Sequence, residues 1–191
     1  MEEKFQNKYR IASARLRNWD YRSNGMYFIT ICCHSRVHYF GEVINGSMEL
    51  SEIGKVCDNY LKEIPAHFPF VVLDAGVVMP DHLHAILMID GADELDGSGD
   101  IGRDVACNVC TPNPNPANPN PIPNAAMAAI SPKYGSLGSV VRSFKSAVRK
   151  DAHLIDSGFR WQARFHDRII RNADAHFWIK KYINDNPRNS G

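Results

Sequence analysis

No apolar run in this 191-residue chain approaches the roughly 18 to 20 residues of a membrane-crossing helix, and its first ten residues, MEEKFQNKYR, are charged rather than apolar. Neither a hydrophobic signal segment nor a helical span is therefore expected, and a soluble, cytoplasmic protein is. Cysteine is sparse and odd in number, with five residues at 32, 33, 57, 107 and 110 that follow no disulfide-framework spacing. Reduced thiols are therefore expected. Cys107 and Cys110 form a lone CxxC without the second pair that a structural zinc site would need. Internal repeats are absent. A net charge of +1 rules out an acidic or basic character spread over the whole chain.

What is present is a 44% hydrophobic, 23% charged chain, long enough to bury one sizeable core. Its charges are unevenly placed. Residues 1–22 hold six Lys/Arg against three Asp/Glu, and residues 139–191 hold eleven against five. Two basic ends that fold onto one face would attract a polyanion, with Arg10, Arg15 and Arg17 at one end and Arg142, Lys145, Arg149 and Arg164 at the other as candidate contacts. Aromatics are interleaved with these charges, including Trp161, Phe177 and Trp178, and such rings serve either core packing or stacking of unpaired bases.

The segment MYFITICCH (26–34) is rich in aromatic and β-branched residues and reads as a strand, continued by YFGEVI to an Asn45-Gly46 hairpin turn and returned by SMEL. Ile53, Val56, Cys57, Tyr60, Leu61 and Ile64 recur at helical spacing after a possible Ser51 cap. FVVLDAGVVM and HLHAILMID read as two strands joined at Pro80-Asp81. Residues 91–134 break the pattern, and six of the eleven prolines fall within 111–123, so this stretch is expected to be a solvated insertion in a single 1–191 domain. A helix over GSLGSVVRSFKSAVRKDAHLI, a short β segment and a final helix, ADAHFWIKKYINDN, stopped by Pro187, complete the chain.

Within VVMPDHLHAILMI (77–89), His82 and His84 stand one residue apart on a strand. Alternate strand residues share a face, so both imidazoles project together, roughly 6 to 7 Å apart at the backbone, while Leu83 and Ala85 fill the other side. Two neutral imidazoles make half of a divalent-metal site and need a third ligand. Equally, one histidine could be a satisfied core residue and the other exposed. On the last helix Trp178, Tyr182 and Asn186 are spaced i, i+4, i+8 and share a face. A phenol is a poor nucleophile unless its target is polarised, which a metal ion does; amphipathic packing and a helix-end cap are the plainer roles for this pair.

In chain order, YFITICCHSR, VVMPDHLHAILMI, LGSVVRSFKSAV, WQARFHDRIIR and YINDNP resemble the single-tyrosine HUH transposases, and among them the REP-associated tyrosine transposases. The resemblance runs from about Arg15 to Pro187. It implies an α+β, ferredoxin-like antiparallel sheet with helices packed on it, and Mg²⁺ or Mn²⁺ held by His82, His84 and Asn186. It also implies Tyr182 as a nucleophile that forms a 5′-phosphotyrosine. Single-stranded or hairpin DNA is the implied partner, and the protein would act as a monomer or homodimer. Two other readings stand beside this one. A catalytically inactive hairpin-binding protein would keep the basic faces alone, and a zinc hydrolase would need a further His, Asp or Glu beside the histidine pair.

Overall fold

The computed structural model describes residues 19–90 and 135–189, together with the backbone of two short paired strands, β1 (Lys4–Phe5) and β2 (Lys8–Tyr9). Strand β3 (Gly25–Cys32) shows why its sequence is two-sided. Tyr27, Ile29 and Ile31 are buried on one face, while Met26 and Phe28 pack on the other. Around it β6 (Val71–Val78), β7 (His82–Ile89) and β8 (His166–Ile170) form one sheet in the order β6-β7-β3-β8, with every neighbouring pair antiparallel. Helix α1 (Glu52–His67) leads into β6 and helix α2 (Leu137–Ile155) precedes β8. Each helical connection joins two parallel strands that have a third strand between them, the split βαβ arrangement of a ferredoxin-like sheet.

Both helices begin where a serine satisfies a free backbone N–H. Ser51 Oγ accepts from Gly54 N at 3.0 Å and Ser136 Oγ accepts from Ser139 N at 3.3 Å. Their inward stripes, Ile53, Cys57, Leu61 and Ile64 on α1 and Leu137, Val140, Val141, Phe144 and Val148 on α2, cover the face that carries Tyr27, Ile29, Ile31, Leu83 and Ala85. This is the main core.

The opposite face is covered by helix α3 (Ala173–Asp185), which begins with Asn172 Oδ1 accepting from Ala175 N at 2.8 Å. Its apolar contact is small. Ile183 is buried with Ile86 and Ile170, and Phe28, Ala75, Val77 and Ile179 pack at their edge. A polar tie adds to it, since Asp74 accepts from His176 Nε2 at 2.7 Å and from Lys180 Nζ at 2.8 Å. Burial raises the Asp74 carboxyl, but Lys180 and His176 more than offset this and hold its pKa below the ordinary value. Asp74 lies where the β6–β7 register shifts between Leu73 and Ala75.

One expectation needs correction. The hairpin of β4 (Gly41–Ile44) and β5 (Ser47–Leu50) forms about Asn45 and Gly46, both at positive φ, but it does not extend β3. It is a separate two-stranded sheet. A 3-10 turn at His34–Arg36, with Ser35 at φ 53 and Arg36 at φ 56, turns the chain away first. The proline-rich insertion lies outside the described residues. Among those residues no helix is long and apolar enough to cross a membrane.

Candidate active site

The β3–β7 register sets His84 opposite Thr30 and His82 opposite Cys32, on the sheet face that α3 covers. His82 Nδ1 meets Asp81 Oδ1 at 2.5 Å, and Asp81 Oδ2 lies 3.2 Å from Arg36 Nη1. His84 Nδ1 meets Thr30 Oγ1 at 2.8 Å. With the protons on Nδ1, where Asp81 and Thr30 accept them, each ring keeps its Nε2 lone pair for a metal. The two Nε2 atoms converge to 3.1 Å. Two ligands at about 2.1 Å on neighbouring positions around a six-coordinate ion stand about 3 Å apart, so the spacing of the pair is compatible with the magnesium or manganese that the family resemblance implies. Burial, followed by the neighbouring His82 and Arg36 charges, pushes the His84 pKa down to about 4, which keeps the ring in the neutral, ligating form.

Tyr182 reaches this pair from α3, its hydroxyl 3.3 Å from His84 Nε2. Ile183, the next residue, is fully buried and anchors the helix turn that carries the phenol. Phe28 completes the packing, stacked on the His84 ring at 5.2 Å and meeting the Tyr182 ring edge-on at 6.4 Å. Tyr182 as a residue is 48% exposed, so a substrate can approach it from solvent. Asn186, one turn further on, ends α3 and is buried.

The chain is 34% identical to an uncharacterized protein of Haemophilus influenzae over 182 residues, 92% of this chain and 87% of that one. The two belong to one family. No protein-family model matches the sequence. A REP-associated tyrosine transposase solved with a REP hairpin superposes with a TM-score of 0.55, covering 94% of this chain and 75% of the other at 18% identity. The chain has the REP-associated tyrosine transposase fold.

Within that fold the described residues sort the remaining candidates. Arg142 and Arg149 are exposed on α2, the layer on the other side of the sheet from the histidines, and Arg164 is exposed in the loop before β8. Lys145 Nζ donates to the carbonyls of Gln162 and Arg164 at 2.8 and 2.9 Å, and burial pushes its pKa down to about 8, so its ammonium holds that loop. Arg10, Arg15 and Arg17 lie outside the described residues, as do Cys107 and Cys110. Tyr60 donates to Asp151 at 2.6 Å between α1 and α2, on the far side of the sheet; that bond and burial push its pKa up to about 12. Among the described residues Tyr182 is the tyrosine beside the histidines, and Tyr134 lies outside them. Among the described residues no three His, Cys, Asp or Glu side chains are grouped to hold a metal, so the further ligand that a zinc hydrolase needs is not found there.

Sequence pattern did not single out Asp81, Thr30 or Phe28. Asp81 immediately precedes the histidine pair, and period-two spacing places Phe28 and Thr30 on one face of β3, but only the cross-strand register shows that this face meets His84.

The depressed His84 pKa predicts an acid-sensitive fold. Because the folded value, about 4, lies below the ordinary 6.5, the unfolded chain binds the proton first. Stability contributed by this site is therefore complete above about pH 6.5 and declines toward pH 4. Melting temperatures measured from pH 7 to pH 4 should fall, and should fall less in His84→Asn, which has no proton to gain; equal declines would show that His84 is not the buried titrating group.

Proposed function

We propose that this chain is a REP-associated tyrosine transposase, a metal-dependent strand transferase that cuts single-stranded DNA beside hairpins through a 5′-phosphotyrosine intermediate. The observation that carries this reading is the convergence of three groups from two elements, with Tyr182 Oη 3.3 Å from His84 Nε2 and that atom 3.1 Å from His82 Nε2. The similar transposase was solved bound to a REP hairpin, and hairpin DNA is the substrate class we assign to this chain.

His82 and His84, through Nε2, and Asn186, through its amide oxygen, would hold Mg²⁺ or Mn²⁺. When bound, such an ion draws negative charge from a nonbridging phosphate oxygen. Asp81 and Thr30 fix the tautomer and tilt of the two imidazoles. Phe28 restrains the His84 and Tyr182 rings, so the phenol oxygen is held ready for the phosphate rather than recruited at the moment of reaction. Tyr182 Oη attacks phosphorus, the bond from phosphorus to the 3′ oxygen breaks, and the phenol proton leaves to the solvent at the open side of the ring. The departing 3′ oxygen takes a proton from water, so a 5′-phosphotyrosine and a free 3′-hydroxyl result. The new ester preserves the phosphodiester, so attack on it by a second 3′-hydroxyl reseals a strand and returns the phenol without ATP.

A hairpin-bearing single strand mixed with the protein and Mg²⁺ or Mn²⁺ should be cut to a product with a free 3′-hydroxyl, and EDTA should stop the cutting. Tight binding without cutting, unaffected by EDTA, would assign the chain to hairpin binding alone. Binding should also depend on the basic ends. Replacing Arg10, Arg15 and Arg17 together by alanine is expected to lower the log–log salt slope by roughly 0.7 for each DNA phosphate that an arginine no longer neutralises. An unchanged slope would assign these arginines to solubility or folding.

A further inference from the structure

The aromatic residues of the basic C-terminal segment divide sharply in the structure. Phe159 is fully buried, and Trp161 and Phe165 pack against the main core. Phe177 and Trp178 do not follow them. They are 60% and 61% exposed, and with Tyr182 they are the only exposed aromatics among the described residues, all within six residues of α3.

Helix geometry ties this outlying pair to the nucleophile. Trp178 and Tyr182 are four residues apart, so they lie on one side of α3 about 6 Å apart along its axis. Between them in sequence, Lys181 places its Nζ 5.5 Å from the centre of the Trp178 ring. Phe177 meets Trp178 at 5.4 Å with their planes at 78°, so each ring limits the motion of the other. The surface beside the phenol therefore combines a fixed, solvent-facing indole with an ammonium group. An unpaired nucleotide offers the matching chemistry, a flat base for the ring and a phosphate for the cation. A protein partner would require neither in this order, and the cation at this surface is Lys181, whose Nζ stands over the Trp178 ring.

We propose that Trp178, supported by Phe177 and Lys181, is a stacking subsite for an unpaired base of the strand that Tyr182 cuts, next to the scissile phosphate. This rests on the strand-transferase reading for the identity of the phosphate, but the stacking is measurable without the chemistry. The subsite is sequence-tolerant, because every base has a face to stack. It accounts for two large exposed apolar rings beside the site that the histidine–tyrosine chemistry leaves unused.

The test uses the full chain carrying Tyr182→Phe, in EDTA, so that binding is read without cleavage. Titration with a ten-nucleotide single strand should quench tryptophan fluorescence. Trp178→Phe should remove most of the quench but keep most of the affinity, since a phenyl ring still stacks, while Trp178→Ala should weaken binding about tenfold or more. Trp178 is largely exposed, so circular dichroism of both variants should match the parent. If Trp178→Ala binds the strand as tightly as its parent, or Trp178→Phe leaves the quench intact, the subsite is overturned. Unaltered binding together with a change in sedimentation would assign the rings to contacts between copies and overturn it as well. A quench that depends on Trp178 in a chain that never forms an adduct would preserve the subsite and remove the transferase; adduct formation with no such quench would do the reverse.

Discussion

A chain carrying Tyr182→Phe is expected to fold, to bind a hairpin-bearing single strand like the parent, and to form no covalent protein–DNA adduct. The change deletes one oxygen that lies 3.3 Å from His84 Nε2, on a residue that is 48% exposed, while the ring can keep its edge-on packing against Phe28. Little stability depends on that oxygen, and the whole of the nucleophile does. Adduct yield should fall by about 10⁴-fold or more, the scale on which enzymes respond to losing a nucleophile. Adduct at the parent's level would transfer the role to another tyrosine. Tyr60 is poorly placed for it, held by Asp151 on the opposite face of the sheet.

His82→Ala and His84→Ala should leave the phenol in place and fail for a different reason. Each removes one of two convergent nitrogens, so adduct yield at ordinary Mg²⁺ should drop about 100-fold or more, with partial recovery at high Mn²⁺. His84→Ala also removes the ring that stacks on Phe28, so His84→Gln is the control that keeps bulk while changing the donor. Asp81→Asn and Thr30→Val, which change the Nδ1 partners and, for Asp81, also the ion pair with Arg36, should cost about 10- to 100-fold. Asn186→Ala should give a milder form of the histidine defect if its amide is a ligand, and none if it only ends α3. Measured as adduct against metal concentration, ligand variants shift the midpoint, whereas Tyr182→Phe lowers the plateau. Identical curves for His82→Ala and the parent would remove the histidines from the metal site.

Much of this site is legible in the sequence because it depends on two periodicities. Strand alternation alone puts His82 and His84 on one face with Leu83 and Ala85 on the other, and the structure keeps that division. Helical spacing alone puts Tyr182 and Asn186 on one side of the last helix. Other features depend on register and layer, which no local pattern encodes. The pairing of Thr30 with His84 follows from a β3–β7 alignment of residues 54 positions apart. The tie from Asp74 to His176 and Lys180 joins a strand bulge to a helix more than a hundred residues later. The separate β4–β5 sheet is not legible because positive φ at Ser35 and Arg36 is not specified by those residue types. Basic composition does not separate Lys145, whose charge is engaged by main-chain carbonyls, from the exposed Arg142 and Arg149.

The chemistry assigned to Tyr182 is open to one direct measurement. The parent protein is incubated with Mn²⁺ and a hairpin-bearing single strand, the covalent product is digested with nuclease and trypsin, and the nucleotide-bearing peptide is sequenced by mass spectrometry. Cleavage after Lys181 and Arg188 isolates Tyr182 in the peptide YINDNPR, in which it is the sole tyrosine. The expected result is that peptide, with a nucleotide joined through its 5′-phosphate to the Tyr182 oxygen. A nucleotide on any other residue, a 3′-phosphate linkage, or no covalent product across hairpin substrates would contradict it.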